Sequence, residues 1–296
     1  MKEYSTNIVE HVLTVQNEIG EAPIWVPEEG RLYWTDTEES AVYSYRLSDY
    51  EMKKYHLSMP ITSLLRRRGG GWVIVTKKGL AFWDQVNNIC TFIVDPVADN
   101  DSLAFNDGAV DPAGRLIAGT MNFNELTAPD GCLFQLDSQL NLKMIDSNIC
   151  GANGFSFGAN GEILYVSEQW DSKILTYDYD QKTGIASNRR IFAVVDAADG
   201  YPDGIIVDSE GCLWNGRWGG AQIVRYTPDG EIDRKYNLPV NVGTCMAFGG
   251  ENLSDLYITT AWYGMTAAER AKNPVSGDLF SIKTDVKGRV EPRFAG

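Results

Sequence analysis

The sequence predicts an all-β protein folded as a six-bladed β-propeller, and three observations support this. A short pattern, a glycine turn followed by hydrophobic and aromatic residues, recurs along the chain, and the sixth copy lacks the glycine. The 296 residues include 8 Trp, 14 Tyr, 11 Phe and 29 Gly, and aromatic runs punctuated by glycine turns are typical of sheet. Helical periodicity is scarce. We therefore expect a single propeller domain over residues 1–296.

The repeats have the spacing of propeller blades. Their hydrophobic anchor residues are Leu32, Val73, Leu116, Ile163, Leu213 and Leu256. Successive anchors lie 41 to 50 residues apart, and a strand-rich repeat of this length is characteristic of blades. In most repeats a polar turn and a second alternating strand follow, as in residues 170–179. In such a fold the first strand of each blade lines the central channel.

The sequence indicates one short helix. Residues 266–272 (TAAERAK) precede Asn273-Pro274, with Thr266 as the N-cap and Glu269 in the position of a capping box. This segment falls between two strands of the last blade, so we interpret it as a loop insertion. We expect the ring to close by pairing of N-terminal and C-terminal segments in one blade.

The composition argues against several functional classes. Lys and Arg total 26 and Asp and Glu total 40, which gives a net charge of −14. Such an acidic chain is unsuited to nucleic acid or to an anionic membrane surface, so we expect neither as a partner. His11 and His56 have no partner motif around them, which argues against a Ser-His-Asp or Cys-His triad.

The five cysteines indicate neither a disulfide framework nor a zinc–thiolate site. Their number is odd and no Cys-x-x-Cys pair occurs, so we interpret them as small buried hydrophobic residues. The first fifteen residues lack a basic segment followed by an apolar one, and no apolar run approaches the length of a membrane span. We expect a cytoplasmic protein that is a monomer or a weak homo-oligomer.

Polar residues recur at one position of the repeat. Ten to twelve residues before the anchors lie Glu21, Thr62, Asn106, Asn153, Asp203 and Thr244. Because equivalent positions in successive blades surround one axis, we expect the side chains of Glu21, Asn106, Asn153 and Asp203 to share one space in the channel. Carboxylate and amide oxygens are hard ligands that suit calcium, magnesium or manganese, and less typically zinc. The set therefore predicts a divalent-metal site.

The residues of the predicted metal site can also be interpreted as structural residues that bind no ion. Asn106-Asp107-Gly108 and Asn153-Gly154 are strong turn signals, and Asp203 after Tyr201-Pro202 fits a turn as well. Glu21 alone would be a solvated strand end. The metal site is favoured because Glu21, Asn106, Asn153 and Asp203 occupy the same position in the repeat. Four residues with unrelated structural roles would have no reason to share that position.

These stretches also make the sequence similar to a known family. The matching segments are residues 19–25, 105–115, 118–121, 202–204, 248–250, 256–259 and 291–296. They occur in one order over nearly the whole chain, and on them the sequence resembles the gluconolactonase/regucalcin (senescence marker protein, luciferin-regenerating enzyme) family of six-bladed propellers. The resemblance implies one divalent ion in the channel, with calcium expected and zinc, magnesium or manganese as alternatives. It also implies hydrolysis of sugar lactones.

The resemblance implies roles for individual residues. Glu21, Asn153 and Asp203 match the metal ligands of the family, and Asp203 also matches its proposed general base. Asn106 matches a residue beside the metal that contacts substrate or a water molecule.

Two departures from the family lie in the expected substrate wall. Ala104 stands where many sugar lactonases carry arginine, and Asn122, Phe123 and Asn124 replace residues that are often acidic. We predict that Asn124 contacts the substrate. Both departures point away from gluconolactone itself as the substrate.

Aromatic residues are expected at the rim of the pocket. Trp170 and Trp218 each follow a channel strand and are predicted to contact the substrate, and Trp262 and Tyr263 follow another. Aromatic faces suit stacking on a sugar ring, and packing between blades is an equal alternative.

We therefore predict a metal-dependent lactonase, a carboxylic ester hydrolase that opens a sugar (aldono-) lactone to the aldonic acid. The ion would polarise the carbonyl and activate a water molecule, Asp203 would accept its proton, and Asn106 would hydrogen-bond a substrate hydroxyl or the developing oxyanion. Two alternatives stay open: an esterase or phosphotriesterase that uses the same site, and a calcium-binding propeller without turnover.

Overall fold

The structure, a computed structural model, describes residues 9–296, which form six four-stranded antiparallel sheets. The innermost strands of the six sheets contact one another in cyclic order, so that the last sheet packs against the first. This arrangement is a six-bladed β-propeller, and it confirms the fold predicted from the repeats.

Twenty-four strands make up the blades. Strand β1 (Val9–Leu13) belongs to the last blade. Blade 1 contains β2 (Gly20–Val26), β3 (Arg31–Asp36), β4 (Ala41–Arg46) and β5 (Glu51–His56). Blade 2 contains β6 (Ile61–Arg66), β7 (Trp72–Thr76), β8 (Gly79–Asp84) and β9 (Ile89–Val94). Blade 3 contains β10 (Leu103–Val110), β11 (Leu116–Asn122), β12 (Gly131–Leu136) and β13 (Leu142–Ile149).

The second half of the chain repeats this order. Blade 4 contains β14 (Ala152–Phe157), β15 (Ile163–Glu168), β16 (Lys173–Asp180) and β17 (Ile185–Val194). Blade 5 contains β18 (Tyr201–Val207), β19 (Leu213–Trp218), β20 (Gln222–Tyr226) and β21 (Ile232–Asn237). Blade 6 contains β22 (Gly243–Gly249), β23 (Asp255–Thr260) and β24 (Leu279–Lys283), and β1 pairs with β24 as its outermost strand. The expected closure of the ring by both chain ends in one blade is confirmed.

The repeat anchors all lie in the second strand of their blade, which explains their common spacing. These second strands are almost completely buried, because blades cover them on both faces. The fourth strands are the most exposed, and β5 and β9 contain only partly buried and exposed residues.

Many of the aromatic side chains pack in the interfaces between neighbouring blades. Tyr33 of blade 1 packs on Trp72 of blade 2 with 4.7 Å between ring centroids. Trp214 of blade 5 meets Phe248 of blade 6 edge-on at 5.7 Å. Large aromatic rings bury much apolar area per residue, so a few of them hold neighbouring sheets together.

The predicted helix is present as α1 (Ala267–Lys272), in the connection from β23 to β24. The Thr266 side chain accepts a hydrogen bond from the Glu269 backbone N–H, and Glu269 accepts one from the Thr266 backbone, which is the predicted capping box. Three single-turn 3-10 helices also occur, at Pro27–Glu29, Gln169–Asp171 and Ala197–Asp199. None of the helices within residues 9–296 has the length and apolar character of a membrane span.

All five cysteines are free thiols, as predicted. Cys212 and Cys245 are buried, whereas the other three are only partly buried.

The last ten residues, 287–296, form a C-terminal strap across one face of the propeller. The strap touches the loop or strand end of every blade on that face. Its contacts are Arg293 with Glu28, Phe294 with the Arg66 backbone, Ala295 with Gly114, Arg289 with Phe157, Lys287 with Ser209, and Gly288 with Leu253. Phe294 is fully buried between blades 2 and 3, near the end of the strap. The strap therefore links all six blades at one end of the channel.

Candidate metal centre

Each of the six innermost strands contains a β-bulge at the same level of the channel. The pairing of these strands with the second strands shifts around Ala22-Pro23, Thr62, Asn106, Gly154, Asp203-Gly204 and Thr244-Cys245. A bulge inserts one extra residue and re-aims the side chains beside it. The predicted polar ring coincides with these bulges, so its members lie within strands, and the alternative interpretation as turns is wrong for Asn106, Asn153 and Asp203.

The bulge at Gly154 shows how closely the backbones of blades 4 and 5 approach each other. Gly154 has a φ of +45°, and a Cβ at this position would lie 2.2 Å from the carbonyl oxygen of Asp203. Only glycine fits such a contact. Glycine after Asn153 thus allows blade 4 to lie against the residue that carries the Asp203 carboxylate.

A cavity of about 490 Å³ opens at the end of the channel opposite the strap. All six blades contribute to its lining. The predicted residues among the lining are Glu21, Asn106, Asn153, Asp203, Trp170 and Trp218, and Thr62 of the same repeat position lines it as well. Asp203 and Asn153 are buried at its floor, whereas Tyr263 and Phe123 are exposed at its mouth. The structure therefore brings together the three expected metal ligands and Asn106.

Three carboxyl groups share the floor of this cavity. Burial raises the pKa of Glu21 well above its usual value, and the nearby Asp203 and Asp107 carboxyls raise it further. Burial and then the charge of Asp107 raise the pKa of Asp203 in the same way. Burial also raises the pKa of Asp107 to about 6. Among residues 9–296, no Lys or Arg forms an ion pair with any of the three.

The hydrogen bonds of Asp203 leave one of its carboxylate oxygens without a partner. Asp203 Oδ1 accepts a hydrogen bond from Asn153 Nδ2, which also donates to Gln169 Oε1 at 3.0 Å. Asp203 Oδ2 is buried and finds no hydrogen-bond donor within the described residues. A buried carboxylate oxygen without a donor is costly, and a cation would compensate it. This donor set of two carboxylates and an amide therefore fits a hard divalent ion, once the Asn153 amide turns its oxygen to the ion.

Asn215 and Arg217 of β19 hold the bulge that carries Asp203. Asn215 Nδ2 donates to the carbonyl oxygens of Asp203 at 3.0 Å and of Gly204 at 2.9 Å. The Arg217 guanidinium is buried and donates to Asn215 Oδ1 and to the hydroxyl of Tyr226. Because arginine can only donate, it fixes which side of the Asn215 amide faces the bulge. The sequence repeats gave no indication of these two residues.

Asn124 lies elsewhere than predicted. It is not among the residues that line the cavity, and its side-chain nitrogen donates to Ser102 Oγ at 2.9 Å. Its neighbours Phe123 and Leu126 line the cavity instead. The prediction of a substrate contact by Asn124 is therefore not supported, because the turn after β11 directs apolar residues to the mouth.

Of the aromatic residues expected at the rim of the pocket, three line the cavity and one does not. Trp170 and Trp218 line the cavity together with Tyr263, whose ring lies 6.3 Å from that of Trp218. Trp262 does not line the cavity. Its indole donates to the Gln16 carbonyl oxygen at 2.9 Å, and Arg270 stacks on its ring.

Asp107 is a site residue that the sequence analysis missed. It stands beside Asn106 at the bulge of β10 and lines both the large cavity and a smaller one of about 60 Å³ below it. Glu291 and Pro292 of the strap also line the smaller cavity. Its signal in the sequence is Asn106-Asp107-Gly108, in which Asp107 directly follows the residue at the repeat position.

A second group of ligand-type side chains lies outside the channel. Asp208, Glu210 and Cys212 come together next to Arg225. Arg225 Nη2 lies 2.7 Å from Asp208 Oδ2 and 2.6 Å from Glu210 Oε2. Both carboxylates already have the arginine as an ion-pair partner, which separates this group from the unpaired carboxylates of the channel.

Comparison with known proteins agrees with this geometry. The sequence profile described as "SMP-30/Gluconolactonase/LRE-like region" matches residues 19–287. The chain belongs to this family. The family match spans all six blades and includes every predicted ligand of the metal centre.

Several members of the SMP-30/gluconolactonase family are similar over nearly their whole length. Regucalcin of Danio rerio is 31% identical over 291 residues, which cover 97% of this chain and 98% of the relative. The 6-deoxy-6-sulfogluconolactonase of Pseudomonas putida is 28% identical over 278 residues, covering 94% and 95%. The crystal structure of regucalcin from Agrobacterium tumefaciens, described as a calcium-binding protein, superposes with a TM-score of 0.92 at 25% identity and covers 98% of both chains. The family thus includes both lactonases and calcium-binding propellers.

Proposed function

We propose that this chain is a divalent-metal-dependent lactonase, and relatives named as a putative sugar lactone lactonase and a 6-deoxy-6-sulfogluconolactonase support a lactone as its substrate. The observation that carries the proposal is the group of three unpaired carboxyls with the partnerless Asp203 Oδ2, at the floor of a cavity large enough for a small molecule. A purely structural propeller gains nothing from such a group, because burying carboxylates without a cation lowers its stability.

Glu21, Asn153 and Asp203 would hold the ion. When bound, a divalent ion polarises a carbonyl oxygen and makes a water molecule more acidic. Asp203 accepts the proton of the attacking water as a C–O bond forms to the carbonyl carbon, and it delivers that proton to the ring oxygen as the ester bond breaks. Asn106 donates a hydrogen bond to the developing oxyanion or to a substrate hydroxyl. The product is the ring-opened hydroxy acid.

A panel assay on chelated protein tests this function. Calcium, zinc, magnesium and manganese are added back one at a time, and aldonolactones, aryl esters and phosphotriesters are offered to each form. We expect hydrolysis to be restored by at least one ion and to be fastest with lactones. Faster hydrolysis of esters or phosphotriesters would indicate the alternative hydrolase. Calcium binding without turnover of any substrate would indicate a calcium-binding propeller, and unchanged lactone hydrolysis in chelator would contradict metal dependence.

The raised pKa values predict that protons compete with the ion. A carboxyl whose pKa rises on folding, such as Asp107 from 3.8 to about 6, stabilises the metal-free protein at low pH and loses this contribution as pH rises through 6. Ion binding stabilises only the folded state. The increase in Tm caused by about 1 mM CaCl2 should therefore be larger at about pH 7.5 than at about pH 5.

Differential scanning fluorimetry measures this difference, and Asp107→Asn is the matched variant. The amide keeps the shape of the side chain but does not titrate. The calcium-induced increase in Tm should therefore depend less on pH in this variant, and the remaining dependence should come from Glu21 and Asp203. An equal Tm increase at both pH values in the unmodified protein would show that these carboxyls do not face the ion.

A further inference from the structure

One side of the cavity mouth is apolar, and its residues are unusually exposed for their type. Phe123 is 41% exposed and Leu126 38%, and Met121 lies buried in the same lining. We call these three residues of blade 3, Met121, Phe123 and Leu126, the apolar wall. Large apolar side chains left accessible at the edge of a cavity are typical of a surface that a ligand covers.

The turn that carries Phe123 and Leu126 is held in place by polar side chains. Asn122 Oδ1 accepts hydrogen bonds from the backbone N–H groups of Asn124 and Glu125, both at 2.9 Å. Asn122 Nδ2 donates to Asp130 Oδ2 at 3.0 Å, and the Phe123 N–H donates to the Ser102 carbonyl oxygen at 3.0 Å. The exposure of the apolar wall is therefore a feature of an ordered turn, and not a consequence of a loop without internal contacts.

The same side of the mouth offers few hydrogen bonds to a substrate. Asn122 uses both ends of its amide within the turn, and Asn124 is directed to Ser102. Lys77, whose ammonium lies 5.7 Å from the ring centre of Phe123, is paired with Glu38 at 2.8 Å. A hydroxyl group packed on the Phe123 and Leu126 side chains would lose hydrogen bonds to water that these two side chains cannot replace, which costs free energy. Methylene groups gain free energy in the same place.

We propose that the preferred substrate is a lactone that carries an apolar alkyl or aryl substituent, which packs on the apolar wall while the lactone group faces Asp203 and Asn106. This inference rests on the proposed lactonase function and names the substrate class for that site. A fully hydroxylated aldonolactone fits the polar floor but not the wall, and should be the poorer substrate.

A series of δ-lactones with one ring and growing substituents tests the proposal. The metal-loaded protein is assayed with δ-valerolactone, δ-hexalactone, δ-octalactone and δ-decalactone, and with glucono-δ-lactone as the hydroxylated counterpart. Burial of a methylene is worth about fourfold in affinity when complete, so we expect kcat/KM to rise about two- to fourfold for each added methylene. The ratio of δ-decalactone to δ-valerolactone should then be on the order of 100.

Wall variants and a control assign this preference to the apolar wall. Phe123→Ser combined with Leu126→Ser should lower the decalactone-to-valerolactone ratio about tenfold, since it removes most of the apolar contact. Phe92→Ser, at an exposed phenylalanine of the outermost strand β9, should leave the ratio unchanged. A ratio near one in the unmodified protein, a ratio that the wall variant does not lower, or faster hydrolysis of glucono-δ-lactone than of every alkyl lactone would overturn the proposal.

Product binding separates a failure of this proposal from a failure of the lactonase function. Calorimetry with the metal-loaded protein compares 5-hydroxydecanoate with 5-hydroxypentanoate, without any need for turnover. Tighter binding of the longer acid, lost in the wall variant, would support the apolar wall even if no lactone were hydrolysed. Equal binding of both acids would overturn it even if lactones were hydrolysed.

Discussion

Replacing Asp203 by asparagine is expected to lower kcat for lactone hydrolysis by about 10²–10⁴-fold, because an amide cannot accept the proton of the attacking water at neutral pH. The amide oxygen can still coordinate a cation, so part of the divalent-ion affinity should remain. Titration calorimetry gives that affinity, and initial rates with saturating metal give kcat. Loss of turnover with the ion still bound is the result that separates a base from a simple ligand.

Two further variants sharpen this measurement. Asp101→Asn removes one carboxylate from an exposed turn outside the cavity and should leave both kcat and ion affinity unchanged. Asn106→Ala should have a smaller effect than Asp203→Asn and should change both kcat and KM, since it removes an orienting hydrogen bond. A wild-type rate in Asp203→Asn with the metal bound would show that the proton is taken by another group.

Phe294→Ala is expected to destabilise the protein by about 3–5 kcal/mol, the range for removing a fully buried phenylalanine. The ring is 0% exposed and packs in one cluster with Leu65, Phe105 and Leu116, which belong to two different blades. Urea unfolding at a fixed calcium concentration measures the loss. The effect should be large even though Phe294 lies in the strap, outside the strands of the six blades.

The control for this variant is Phe92→Ala, which removes the same ring from an exposed position on β9 and should change the free energy of unfolding by less than about 0.5 kcal/mol. A loss below about 1 kcal/mol for Phe294→Ala would mean that the blades close well without the strap. The strap would then be an accessory to the ring and not a part of its closure.

The propeller could be predicted because its signals repeat. The anchors Leu32 to Leu256 recur in every blade, and a pattern repeated six times is far stronger than any one strand signal. The capping box at Thr266 was equally predictable, since it depends on residues three positions apart. The strap was not, because its contacts join residues distant in the sequence, from 35 positions apart for Gly288 and Leu253 to 265 for Arg293 and Glu28.

The metal centre could be predicted only in part, for a related reason. Glu21, Asn106, Asn153 and Asp203 share a repeat position, so the fold brings them together. Asp107 escaped because a bulge turns two neighbouring residues of β10 to the channel, where a regular strand would turn one. The position of Asn124 outside the cavity lining has a local cause, since Asn122 Oδ1 accepts hydrogen bonds from the backbone N–H groups of Asn124 and Glu125 and so holds that turn.

The bulge of an innermost strand separates packing residues from channel residues at neighbouring positions. In blade 3, Phe105 before the bulge is buried in the interface between blades, while the inserted Asn106 and the next residue, Asp107, line the channel. Thr62 occupies the inserted position in blade 2 without a carboxylate or an amide, and blade 2 nevertheless has the same four strands as the others. Blade 4 differs, because its inserted residue is Gly154, whose close approach to blade 5 leaves no room for a side chain. Natural selection can therefore alter the charge and donor set of the site at positions such as 62 and 106 while the scaffold stays constant.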